Sequence, residues 1–230
     1  MSEIESKTVV DSTETDEHAQ TDEQLMAAFA RAAGGESEAA FQALFRRYRE
    51  PVFGFFRRRV WDAALAEELA QETFLAVLKA RGRYEATALF RTYLYAIAFR
   101  ILKAHRRKAV FRAMFAGKAA GVGDRDAGER GHGGLGLAEP SHETGVEAAL
   151  AMREAVGRLE RMDREMVLLR EFEELSYAEI AEVLGIPLNT VRSRLFRARM
   201  ALRGLLTEPA PGAEGIGADV KGMRGAEGRA

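Results

Sequence analysis

The chain has 230 residues, 47 % of them hydrophobic and 30 % charged, which is enough apolar matter for one or two soluble folded units at about 100–200 residues each. It has no cysteine, its histidines (His18, His105, His132, His142) lack metal-ligand spacing, and no apolar run approaches the roughly 18–20 residues of a membrane span, so disulfides, metal, cofactor and membrane insertion are not expected. The formal net charge of −1 hides segregation: residues 1–23 are rich in acids, whereas Arg100 to Arg112 and Arg192 to Arg203 hold Lys and Arg with no acid, and such local patches govern contact with a polyanion.

Residues 1–21 are acidic, polar and without apolar periodicity, which predicts a disordered N-terminus; it is not a signal peptide, and a cytoplasmic setting is expected. From 22 to 112 the pattern is helical. In the opening helices Phe41, Leu44, Phe45, Tyr48, Val52 and Phe55 are the candidate core. The helix predicted from Asp62 to Arg81 covers one face with Leu65, Leu69, Thr73, Ala76 and Val77. Its other face carries Glu67, Glu68, Gln71 and Glu72, with Leu75 and Leu78 among them. Acids interleaved with exposed leucines suit docking to a basic protein surface, although a helix buried on both sides would read similarly.

The next helix buries Phe90, Leu94, Ile97, Ala98 and Ile101. Its far face is expected to present Tyr95, Phe99, Lys103, Arg106 and Arg107, flanked by Arg100. Aromatics among cations fit single-stranded DNA, whose bases stack on rings while cations track phosphates; a solvated basic face is the plainer alternative. Residues 113–145 crowd with glycine and predict a flexible linker.

Helical patterning resumes over 146–206. Ser176 and Glu179 have capping-box spacing, Tyr177, Ile180, Ala181 and Leu184 share a face, and Gly185 stops the helix. A second helix follows Gly185-Ile186-Pro187. Leu188, Val191, Leu195, Ala198, Leu202 and Leu205 form its apolar stripe; Asn189, Arg192, Ser193, Phe196, Arg197 and Met200 lie opposite. Arg194, Arg199 and Arg203 flank that face and could hold phosphates. A short helix, a glycine turn and a longer basic helix make a helix-turn-helix, whose second helix enters the major groove. There Arg pairs bidentately with guanine and Asn with adenine. An ordinary solvated helix face mixes signs, and residues 188–207 contain no acid. The tail, 207–230, is Gly/Ala/Pro-rich and predicted disordered. No segment reads as a strand, so the expected fold is all-α, two helical domains joined by a flexible linker.

The segment "REMVLLREFEELSYAEIAEVLGIPLNTVRSRLFRARMALRGLL" resembles region 4 of bacterial sigma factors. The resemblance implies that Asn189, Thr190, Arg192, Ser193, Phe196 and Arg197 form the minus-35 DNA site. Pro187 and Asn189 depart from common family residues, which leaves base preference at the start of the reading helix open. "LAEELAQETFLAVLKARGRY" looks like sigma region 2.2, and by that likeness Glu68, Gln71, Glu72 and Phe74 bind polymerase. Leu65 stands where the family often has Asp. "LFRTYLYAIA" is similar to regions 2.3 and 2.4, with Tyr93 in a Trp position beside the buried stripe. It implies minus-10 recognition and melting by Tyr95, Phe99, Arg100, Lys103, Arg106 and Arg107. The loop of about 82–89 would capture a flipped base, but its sequence is unlike common versions.

Two matches in order point to the extracytoplasmic-function (ECF) group of the sigma-70 family. Residues 22–112 would be a region 2 bundle and residues 146–206 a region 4 helix-turn-helix. The implied partners are core RNA polymerase (the β′ coiled coil and the β flap), promoter DNA and an anti-sigma factor. The implied function is a non-enzymatic alternative sigma factor. The rival is a helix-turn-helix regulator that does not recruit polymerase; it requires an upstream receiver or ligand domain, and no strand-helix alternation is seen there. No catalytic residue set, nucleophile elbow or phosphate loop is visible. Promoter sequence and activating signal are not encoded in any legible motif.

Overall fold

The computed structural model describes residues 20–31, 34–81, 84, 88–119 and 143–207. Every regular element among them is helical. The acidic N-terminus, most of the loop before residue 88, most of the linker and the C-terminal tail lie outside the described residues.

Helix α1 (Asp22–Arg31) opens on a reciprocal cap: Gln24 N donates to Thr21 Oγ1 at 3.2 Å and Thr21 N donates to Gln24 Oε1 at 2.9 Å. Its apolar face, Leu25, Met26 and Phe29, is buried. Helix α2 (Gly35–Arg57) starts after Gly34, whose φ of 68° suits a residue without Cβ. It runs through Pro51 and buries Leu44, Val52, Phe55 and Phe56. Phe45, expected in the core, is at its edge: 38 % exposed, its ring 4.8 Å from that of Phe74. Helix α3 (Ala63–Lys79) is capped by Asp62, which accepts from Ala64 N at 2.9 Å. Helix α4 (Phe90–Ala119) is 30 residues, or about 45 Å, long. It is buried in its first half and leaves the bundle after Leu102, so Val110, Phe111, Met114 and Phe115 are exposed. It also carries helix seven residues into the segment expected to be linker. Helices α1 to α4 pack as one bundle.

The second unit comprises α5 (Glu143–Arg158), α6 (Arg161–Glu171), α7 (Tyr177–Leu184) and α8 (Leu188–Thr207). The end of α5 is tied down by Arg164, which donates to the carbonyls of Val156 (3.1 Å), Gly157 and Leu159 (3.1 Å). These are the orphan acceptors a helix terminus leaves behind. Helix α8 packs against α5, α6 and α7.

The two units also touch. Helix α7 packs on α4, where Arg91 pairs with Glu179, and a second ion pair joins Arg59, just after α2, to Glu165 of α6. Sequence patterning did not anticipate this, because it shows which face is apolar but not what the face meets.

Candidate nucleic-acid and polymerase interfaces

The helix-turn-helix follows from local chemistry. Ser176 Oγ accepts from Glu179 N at 3.3 Å, while Glu179 Oε2 accepts from Ser176 N at 2.8 Å, so the capping box is complete. Gly185 ends α7 in the left-handed region at φ 69°. On α8, Val191, Leu195 and Ala198 are fully buried. Asn189, Arg192, Ser193, Arg197 and Met200 are exposed, and Phe196 is 65 % exposed. Thr190 is half-buried, and its carbonyl accepts from Ser193 Oγ at 3.1 Å. Arg192 Nη1 leans on Asn189 Oδ1 at 3.4 Å. The expected reading face is thus one surface.

Two flanking arginines behave differently. Arg194 bridges Glu160 (3.0 Å) and Asp163 (2.9 Å), and Arg199 bridges Glu171 (2.9 Å) and the Tyr177 hydroxyl (3.0 Å). Both brace α8 against α6 and α7 rather than standing ready for phosphates.

On α3, Glu67, Glu68, Gln71, Glu72, Leu75 and Leu78 are exposed together, an acidic and leucine-studded face. Phe74 departs from the expected contact set. It is 6 % exposed, edge-on to Phe45, and braces the helix from inside. Between α3 and α4 runs a groove lined by Leu65, Glu68 and Glu72 on one side and by Arg107, Lys108 and Phe111 on the other.

The aromatic part of the expected strand-binding face requires correction. Tyr95 is 4 % and Phe99 7 % exposed, so neither offers a free stacking surface. Tyr95 packs 5.7 Å from Phe55, and burial, reinforced by Glu173, pushes its phenol well above the usual tyrosine range. The helical wheel placed these rings opposite the main stripe, but α4 is enclosed on more than one side. Arg100, Lys103 and Arg107 are exposed as expected. Arg106 is half-buried and donates to Glu165 Oε1 at 2.8 Å. Tyr93 packs edge-on against Tyr84 at 5.1 Å, consistent with a packing role.

The ion pairs between the two units have one polarity. Arg58, Arg59, Arg91 and Arg106 come from the first, and Glu165, Glu173 and Glu179 from the second. Arg59 is fully buried; it meets Glu165 at 2.7 Å and Glu173 at 3.1 Å, and its guanidinium lies 3.8 Å from the Phe55 ring centroid. Arg58 reaches Glu173 at 2.9 Å. Glu179 accepts from Arg91 Nε and Nη2 at 3.0 Å each and from Thr92 Oγ1 at 2.9 Å, in addition to capping α7. Burial alone would raise the Glu165 carboxyl, but Arg59 and Arg106 outweigh it and hold the group below the usual carboxylate range. At Glu179 burial is likewise outweighed, by its bonds to Ser176, Thr92 and Arg91. Burial opposes the charge on Arg59, and Glu173 and Glu165 restore it, so its affinity for the proton is raised.

A helix-turn-helix whose exposed face carries no acid, joined to a helical bundle with an acidic, leucine-studded face, has the build of a two-unit DNA-binding protein. Family models for Sigma-70 region 2 and for Sigma-70, region 4 match residues 44–111 and 149–202. The RNA polymerase sigma-H factor of Pseudomonas aeruginosa is 34 % identical over 164 residues, covering 71 % of this chain and 84 % of that protein. The ECF RNA polymerase sigma factor SigC of Mycobacterium tuberculosis is 31 % identical over 183 residues, covering 79 % and 91 %. Among solved structures, CnrH in complex with the cytosolic domain of CnrY superposes with a TM-score of 0.56 at 21 % identity, over 81 % of this chain and 97 % of that one. The sigma factor RpoE of Bartonella quintana, in complex with the anti-sigma factor NepR, gives 0.56 at 21 %, over 72 % and 96 %. At that identity both speak for the fold alone. The chain belongs to the sigma-70 family, in its ECF group, and is an alternative sigma factor.

Proposed function

We propose that this sigma factor works as a two-point promoter reader whose contacts divide among three surfaces. Helix α8 reads the minus-35 element through Asn189, Thr190, Arg192, Ser193, Phe196 and Arg197. Arg100, Lys103, Arg106 and Arg107 of α4 track the phosphates of the minus-10 strand. Glu68, Gln71 and Glu72 of α3 grip the β′ coiled coil of core RNA polymerase, and the second unit docks on the β flap. The factor catalyses no reaction of its own and acts in the cytoplasm; among the described residues no helix is long and apolar enough to cross a membrane. The solved relatives named above are bound by a CnrY domain and by the anti-sigma factor NepR, and an anti-sigma partner is the expected regulator of this chain.

The observation that carries this reading is the α8 surface, where Arg192, Phe196 and Arg197 stand exposed on a helix with no acid. Run-off transcription on genomic promoter fragments, with purified core polymerase with and without the protein, tests it. Specific transcripts should appear only with the protein; binding to core no better than that of an unrelated helical protein would sink the reading.

Arg192→Ala tests the reading helix at one residue. Loss of a bidentate base contact should cost about 1–3 kcal/mol at one base position and relax preference there. A loss of equal size on every sequence, in binding assays across a set of single-base promoter variants, would reassign Arg192 to a phosphate.

A further inference from the structure

We infer that the open groove between α3 and α4 is a self-association surface, on which a second copy of this chain seats its own groove about a two-fold axis, with α4 of each copy lying on α3 of the other. The pairing stands on the groove alone; only its consequence for core binding rests on the docking role proposed above for α3.

The charge pattern of the groove is the first support. Leu65 and Leu69 of α3 and Ile101 and Ala104 of α4 form its floor. Glu68 and Glu72 stand on one wall, Lys108 and Arg112 on the other, and all four are exposed. An occupant of one charge sign is attracted by one wall and repelled by the other. A phosphate backbone laid along the floor meets the glutamates, and a basic helix laid there meets Lys108 and Arg112. The fitting occupant carries both signs side by side in the reverse order, and the groove of a second copy does so. A half-turn about an axis along the groove sets Glu68 and Glu72 of each copy opposite Lys108 and Arg112 of the other. A half-turn about an axis across it would set acid on acid and base on base, so the charges also select the arrangement.

The second support is apolar. Val110, Phe111, Met114 and Phe115, where α4 has left the bundle, are each half exposed or more. Phe111 and Phe115 hold each other with ring centroids 4.4 Å apart, and Phe111 lines the groove, so the cluster continues the charged surface. Exposed apolar clusters of this kind on soluble chains mark interaction sites. In a two-fold interface every contact is made twice, which doubles what one short groove can contribute. The area remains small for an obligate dimer, so a dissociation constant on the order of 10 µM is expected.

Glu68 and Glu72 are also proposed polymerase contacts. Pairing therefore withdraws them, and the paired chain and the core-bound chain exclude one another.

Sedimentation equilibrium of the full chain from about 1 to 100 µM should show the mass rising from that of the monomer to twice it. A monomer throughout, or growth beyond the dimer, overturns the inference. Phe111→Ser/Phe115→Ser should weaken pairing at least tenfold; both rings are exposed, so helix content should be kept. Glu68→Lys/Glu72→Lys and Lys108→Glu/Arg112→Glu should each be monomeric alone, because one then has two basic walls and the other two acidic ones. Mixed in equal amounts, they should form a heterodimer. A pair that survives the serine changes, or a mixture of folded reversed chains that stays monomeric, overturns the groove as the interface. Should a reversed chain lose helix, the wild type and the serine variant decide. Core polymerase added to the pair should carry off single copies; two copies on one core overturn the exclusion. Mass is measured without polymerase, so a failure to pair leaves the docking reading standing, and a failure to bind core removes that reading but not the dimer.

Discussion

Leu195→Ala should cost the helix-turn-helix about 2–5 kcal/mol, the range for truncating a fully buried leucine that leaves an unfilled cavity. Leu195 is 0 % exposed and lies between Val191 and Ala198 on the buried apolar stripe of α8. A small domain has a total stability of about 5–15 kcal/mol, so the loss is a large share of it. Duplex binding should fall with it, because Arg192, Ser193, Phe196 and Arg197 keep their mutual geometry only while α8 is docked. Met200→Ala is the control. Met200 is exposed on the opposite face, and its loss should stay within about 0.5 kcal/mol. Urea denaturation followed by circular dichroism checks both. Equal effects at the two positions would mean that the stripe is not what docks the helix.

Reversing two charges on α3 should have the larger functional effect. Glu68→Lys/Glu72→Lys should weaken binding to core polymerase by about 2–5 kcal/mol, roughly thirtyfold or more, as attraction to a basic partner surface becomes like-charge repulsion. Duplex binding through α8 should be unaffected, since both residues lie in the other unit. Glu72 also lines a groove with Arg100, Lys103 and Arg107, so part of the reversal is felt inside the fold. The melting temperature is therefore measured beside the affinity, by fluorescence anisotropy of the labelled factor titrated with core enzyme. Undiminished core binding in a folded variant would move the docking surface elsewhere. Loss of core and duplex binding together would signal unfolding.

The physical contrast between α8 and α4 explains why one expected face stands exposed as read from the sequence and the other only in part. Helix α8 is docked on one side, so a single apolar stripe divides it cleanly, and Asn189, Arg192, Ser193, Phe196 and Arg197 all stand outside. Helix α4 meets α1, α2 and α3 on one side and α7 on another. A wheel that assumes one buried face therefore misplaces Tyr95 and Phe99. Phe74 fails for a related reason: a motif match names a residue's position in a pattern but not whether it touches the partner or supports those that do.

Sequence alone determined what is local. Helix periods, the Ser176–Glu179 box, the Gly185 stop and the acid-free face of α8 arise from interactions within a few residues, and their signals lie within a few residues in the chain. Only the tertiary structure decided what is remote. Arg59 and Glu165 are 106 positions apart, and Arg59 and Glu173 are 114 apart, yet they share a buried contact. An arginine that closes such a contact has the same local pattern as one that waits in solvent. The second task of Glu179, pairing with Arg91 and Thr92 across the units, is invisible beside its first for the same reason. Charge type is written in the sequence, but which charges meet depends on how the two units pack.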